Sequence, residues 1–171
     1  MRFAKIIAEQ MRTSMPPFYD QGPVVSTYDM TRLLSIFAKQ YIAASEALRD
    51  RDPPLTQPWI QVSGHAVECS LKSFICASGQ TVPKHHDLVD LLDLAQQNGL
   101  VIEDNDTMML VYLNHQYSRD LHTSTRYKAR YPSDKWEMID VTIPPQDFLL
   151  RIVHDICSQA GATNDQQNRG R

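Results

Sequence analysis

Glycine is scarce in this chain, six in 171 residues, and cysteine is scarcer still at three. A sandwich of short strands or a nucleotide-binding βαβ fold needs more glycine for its turns, because only glycine enters the left-handed backbone region at little cost. No GxGxxG stands in the sequence, nor any GxxxxGK followed by Ser or Thr, so no loop of backbone amides is available to cradle phosphates. The cysteines Cys69, Cys76 and Cys157 are odd in number and none lies in a CxxC. A disulfide scaffold is excluded on that count, and a reducing, cytoplasmic setting is expected. No apolar window approaches the ~20 residues that span a bilayer. Near the start, Glu9, Gln10 and Arg12 break the apolar run before it resembles a signal peptide. Seventeen Lys and Arg against twenty Asp and Glu leave a net charge of −3, which excludes a surface that grips nucleic-acid backbone everywhere but not a local basic patch.

What is present is helical periodicity. The pattern predicts an all-α fold, an antiparallel bundle of four to five helices over residues 31–160, between an N-terminal arm (1–30) and a disordered tail (161–171). The arm contains one short apolar-faced segment (Phe3, Ile6, Ile7, Met11) and then a breaker stretch with Pro16, Pro17, Gly22 and Pro23. The first helix of the body, Thr31 to Asp50, sets Leu33, Leu34, Phe37, Tyr41, Ala44 and Leu48 on one face, and Pro53 and Pro54 stop it. The second, about Gln57 to Ala77, is apolar around most of its circumference and is therefore expected at the centre. A third, His86 to Asn98, turns Leu88, Leu91, Leu92 and Ala95 inward and ends on Gly99–Leu100. The fourth starts after Asp106 or a neighbour and carries Met109, Leu110, Leu113, Tyr117 and Leu121 inward. The fifth starts near Pro144–Pro145 and buries Phe148, Leu149, Ile152, Val153 and Ile156. Residues 135–143 are β-branched enough to be extended.

Two helices carry polar stripes. On the second, Gln61, His65, Glu68 and Lys72 step by 4, 3 and 4 and share one side. Either this is the helix's solvent face, with Glu68 and Lys72 as an ordinary i,i+4 ion pair, or it lines a cleft where a carboxylate and an ammonium hold a polar ligand. On the fourth, His115, Arg119, His122 and Arg126 repeat the spacing, Arg130 follows, and Tyr127 and Tyr131 stand among the cations. Such a grouping suits phosphate and base recognition, since Arg forks the phosphate oxygens while a tyrosine ring offers a stacking face. The alternative is a solvated face whose arginines pair with nearby carboxylates. His65 and Cys69 have the spacing of two zinc ligands, with His85 and His86 further along, but no second pair completes a four-ligand site. No structural metal or cofactor is expected. No GxSxG elbow presents a nucleophile.

Three pieces in order resemble the HEPN domain (higher eukaryotes and prokaryotes nucleotide-binding): His65-Ala-Val-Glu-Cys-Ser-Leu-Lys72, His85-His-Asp-Leu-Val-Asp-Leu-Leu92 and Arg126-Tyr-Lys-Ala-Arg-Tyr-Pro132. In that family a Glu-x3-Lys helix precedes a His-Asp-Leu helix start, and an aromatic-basic segment ends the fourth helix. The resemblance implies a helical bundle, a homodimer, and ligand-binding residues at Glu68, Lys72, His86, Asp87, Tyr127, Arg130 and Tyr131; the two polar stripes in turn suggest that Glu68 and Lys72 face the 126–132 segment in a cleft. One branch of the family is metal-independent endoribonucleases with an Arg-x4–6-His motif. Here Arg119–His122 and Arg151–His154 each have only two residues between them. The sequence looks closer to the family's other branch, sacsin-like and nucleotidyltransferase-associated, which binds nucleotides or partner proteins without cutting RNA. That resemblance implies binding of a nucleotide or other phosphorylated ligand without catalysis. The alternatives are an endoribonuclease acting on RNA through Arg119 and His122, and a protein-interaction module of the toxin–antitoxin kind.

Overall fold

The computed structural model describes residues 26–50, 56–117 and 144–169. They form five helices: α1 (Thr27–Arg49), α2 (Thr56–Ala77), α3 (Leu88–Gln97), α4 (Asp104–Tyr117) and α5 (Gln146–Arg169). Among the described residues there is no strand, and the fold is the all-α bundle that the periodicity predicts. None of these helices is long and apolar enough to cross a membrane. The short segment around residues 3–11 and the stretch 135–143 lie outside the described residues.

Helix α2 is the axis of the bundle and packs against each of the other four. From Trp59 to Ala77 every residue is buried except Gln61, Val62 and His65. Large apolar side chains (Ile60, Leu71, Phe74, Ile75) fill part of its surface, and small ones (Ser63, Gly64, Ala66, Ser70, Ser73) let neighbouring backbones come close on the rest.

Helix α1 shows the consequence. It begins at Thr27, four residues before the expected start, because the Ser26 hydroxyl caps it by accepting from the Asp29 amide at 3.1 Å. Its buried face is Thr31, Ala38, Ile42 and Ser45, not the larger apolar stripe expected to point inward. Leu33 and Phe37 remain 41% and 45% exposed. The physical reason is distance of approach. Ser73 on α2 donates to the Thr31 carbonyl at 2.8 Å and meets the Ser35 hydroxyl at 2.8 Å, contacts possible only where the facing side chains are small.

Helices α3, α4 and α5 bury the expected apolar residues that are described, with Phe148 and Met109 only half-buried, and Leu121 lies outside the described residues. Gly99 takes φ 98°, and the Leu100 amide returns to the Ala95 carbonyl at 3.0 Å, closing α3 in a Schellman turn. Asp106 does not cap α4. It lies in the first turn, buried, and accepts two bonds from Arg151 of α5 at 2.7 and 2.8 Å. The expected disordered tail is corrected by α5, which runs on to Arg169. The stripe Val153, Ile156, Cys157 and Ala160 continues to a buried Asn164, so the polar composition of 161–169 covers one more stretch of docked helix.

Gln146, the first residue of α5, joins three helices. Its buried carboxamide accepts from Trp59 Nε1 at 2.7 Å and donates to Ser45 Oγ at 2.8 Å. Gln146→Leu strands both partners, and the expected loss is about 2 kcal/mol, as one buried donor without an acceptor costs ~1–3 kcal/mol. Urea unfolding checks this against His154→Ala on the exposed face, for which a change within about 0.5 kcal/mol is expected. Equal effects would remove Gln146 from its role.

Candidate functional site

The polar stripe of α2 is not a solvent face. Glu68 is 3% exposed and Lys72 9% exposed, because α2 is covered on nearly every side. Lys72 Nζ donates to Glu68 Oε1 at 2.8 Å. His86, in the segment leading into α3, places Nδ1 at 2.9 and 3.0 Å from the two carboxylate oxygens. Tyr117, in the last turn of α4, donates its hydroxyl to Oε2 at 2.5 Å. His65, one turn before Glu68, sits with Nδ1 at 3.1 Å from that hydroxyl and 3.6 Å from Oε2. Gln61, the fourth member of the stripe, stays apart, and its buried Oε1 has no hydrogen-bond partner. One carboxylate thus gathers groups from α2, α4 and the approach to α3.

Burial by itself pushes the Glu68 carboxyl up, since an ion in a low-dielectric interior is poorly solvated. The His65 imidazole close by, the hydrogen bonds from Lys72 and Tyr117 and the Lys72 charge outweigh that effect and hold the carboxyl well below the usual carboxylate range. Glu68 is an anion held by donors. The neighbouring Cys69 goes the other way: burial first, then the Glu68 charge, pushes its thiol up to about 12. That makes Cys69 an inert, apolar-like side chain. Among the described residues no group of three or more His, Cys, Asp and Glu is arranged to hold a metal.

Asp87 acts through the backbone. Its Oδ1 accepts from the amides of Val89 and Asp90 at 2.9 and 3.1 Å, capping α3. Asn114 of α4 donates to the same oxygen at 3.2 Å and accepts from the Leu88 amide at 2.8 Å. This pairing fixes the start of α3 against α4 and so sets where His86 stands. Arg119, His122, Tyr127, Arg130 and Tyr131 lie outside the described residues, as does the expected apposition of the 126–132 segment. Of the two Arg/His pairs, the one on α5 is described: Arg151 is held by Asp106 and lies 5.6 Å from the Phe148 ring centre.

Tyr117, Asn114 and Gly64 belong to the site although the sequence reading does not single them out for it. Tyr117 is read there as core, correctly for its ring and silently for its hydroxyl. Gly64 is the clearest signal available, a glycine in the middle of a helix, where it costs roughly 1 kcal/mol relative to Ala. A Cβ at this position would lie 2.2–2.8 Å from the Tyr117 side chain. The ring rests on bare backbone, and that seat brings the hydroxyl to Glu68. Aromatic contact reaches the site from α1 as well, where Tyr41 meets the His65 ring edge-on at 4.7 Å.

Two outcomes follow. Gly64→Ala, which improves helix propensity, nevertheless destabilises by about 1–3 kcal/mol because Tyr117 has no alternative seat; a stabilised variant in thermal melting would show the contact to be soft. Glu68→Ala leaves Lys72 buried without its counter-charge and costs about 3–5 kcal/mol at pH 7. Because the folded-state carboxyl is held low, its stabilisation is complete above the unfolded value of ~4.3 and is lost as pH falls below it. Unfolding free energies of wild type and variant therefore converge on acidification; a gap unchanged from pH 7 to pH 3 would contradict the ion pair.

Compared with known protein families, the chain matches the profile of the HEPN domain over residues 37–142, well over half of its length. No curated protein and no solved structure matches it.

Proposed function

We propose, from the premise that the chain belongs to the HEPN domain family, that it binds a nucleotide or other phosphorylated ligand over the Glu68 cluster and does not cleave RNA. The family is one of nucleotide-binding or ribonuclease-like modules, and the arrangement of donors favours the first. The observation that carries the reading is the gathering of Lys72, His65 and His86 around one carboxylate. The two imidazole side chains are each about one-third exposed at its rim. Phosphate oxygens are acceptors, and N–H groups of ammonium and imidazolium are their usual partners. Glu68 supports such a site from below by orienting the donors, much as a carboxylate behind a histidine fixes its ring. The aromatic-basic segment with Tyr127, Arg130 and Tyr131 supplies further donors and a stacking face in this reading.

Cleavage is disfavoured on chemical grounds. Metal-free RNA cleavage needs a base to take the 2′-hydroxyl proton while a cation meets the charge developing on the phosphate, each placed within ~1 Å. Glu68 is a poor base, because a carboxyl held well below the usual range has little affinity for a proton near neutral pH. Arg119 and His122 are three apart, short of the Arg-x4–6-His spacing. Arg151 is engaged with Asp106.

Calorimetric titration with ATP, AMP and inorganic phosphate tests the binding, alongside incubation with single-stranded RNA and sedimentation for the homodimer that the family resemblance implies. The expected result is saturable binding of a phosphorylated ligand, weakened roughly tenfold in His86→Ala, the loss of one charge-assisted hydrogen bond, with no cleavage above a buffer control. No saturable binding would turn the reading toward a protein-interaction module. Cleavage that disappears in His122→Ala would establish the ribonuclease.

A further inference from the structure

The exposed apolar stripe of α1 leads into the site. Because α1 packs through Thr31, Ala38, Ile42 and Ser45, its aromatic residues Phe37 and Tyr41 are left off the seam. Phe37 is 45% exposed and Tyr41 is half-buried. They are one helical turn apart, with ring centres 6.5 Å from each other and planes inclined by 42°. Tyr41 in turn meets His65 edge-on at 4.7 Å, and His65 Nδ1 stands 3.1 Å from the Tyr117 hydroxyl that binds Glu68. Ring follows ring from an exposed side chain to the buried carboxylate.

We infer that Phe37 and Tyr41 form a stacking platform for the base of a nucleotide whose phosphate lies at the Glu68 cluster. This rests on the phosphate-site reading above and deepens it by assigning the side chains that receive the base, which a phosphorylated sugar or inorganic phosphate would leave unused. Three observations support it. The Phe37 ring is not needed for packing, since it is 45% exposed and smaller side chains make the α1–α2 contact, while Tyr41 is held half-buried against the core. An exposed phenylalanine beside a half-buried tyrosine offers an apolar face partly held in place, which is what base stacking uses irrespective of the base's identity. The platform adjoins His65, a rim donor of the phosphate site, so base and phosphate contacts lie side by side as they do within one nucleotide.

The test is calorimetry on the full chain with AMP, ribose 5-phosphate and inorganic phosphate, and with a short single-stranded RNA to distinguish a free nucleotide from one within RNA. Wild type is expected to bind AMP or the RNA more tightly than ribose 5-phosphate by roughly five- to a hundredfold, the range of one base–aromatic stack. Phe37→Ala is expected to abolish that preference while leaving ribose 5-phosphate binding unchanged. Tyr41→Phe, which keeps the ring, retains it. His86→Ala weakens all phosphorylated ligands alike. Equal binding of AMP and ribose 5-phosphate by wild type would overturn the platform and leave the phosphate site standing. Failure of every phosphorylated ligand to bind would overturn both. A sedimentation mass that falls in Phe37→Ala while AMP affinity is unchanged would assign the stripe to contact between copies and overturn the platform.

Discussion

An ionised carboxylate within a helical bundle is stable only while its charge is answered from several directions. Leaving water costs an ion several kcal/mol even after relaxation, and one counter-ion seldom repays it. Glu68 presents two oxygens, one meeting Lys72 and His86 and the other meeting His86 and Tyr117. Each partner comes from a different place, so satisfying the carboxylate also fixes the placement of α4 and of the approach to α3 on α2. The supporting details follow from this requirement. Gly64 is bare so that Tyr117 can reach. Asp87 and Asn114 lock α3 to α4 so that His86 stands in register.

The same constraint underlies the ligand site proposed here. Once Glu68 is committed as an acceptor, Lys72 and, in its imidazolium form, His86 offer donors outward. A rim of donors on a rigid support is suited to holding an acceptor-rich group, and a carboxyl held ionised below it is ill suited to moving protons at neutral pH. In the proposed reading, binding and the absence of catalysis are two expressions of one arrangement.

Much of this was legible in the sequence. The helical periodicity of α2 through α5, the Glu68–Lys72 spacing and the helix start at His86–Asp87 can each be read along the chain, because they are local. What was not legible depends on neighbours distant in sequence. A Glu and a Lys four apart look the same on a wet face as in a core, and only the covering of α2 by all four other helices decides between them. On α1 the larger apolar residues outweigh the small ones in any pattern, yet Ala38 and Ser45 win the contact because helices approach most closely over small side chains. On α5 the run of Asn, Gln and Asp reads as a tail, and the docking of Ala160 and Asn164 is a property of the groove that receives them.

The central claim, that Glu68 is an anion held by its donors, is tested most directly by carbon-detected NMR of the side-chain carboxyl through an acid titration. The carboxyl resonance is expected to stay at its ionised position throughout the ordinary glutamate range, near ~4.3, and to move only at lower pH. A carboxyl that takes up its proton at or above that value would mean that burial outweighs the donors, and would contradict the account of how this site is built.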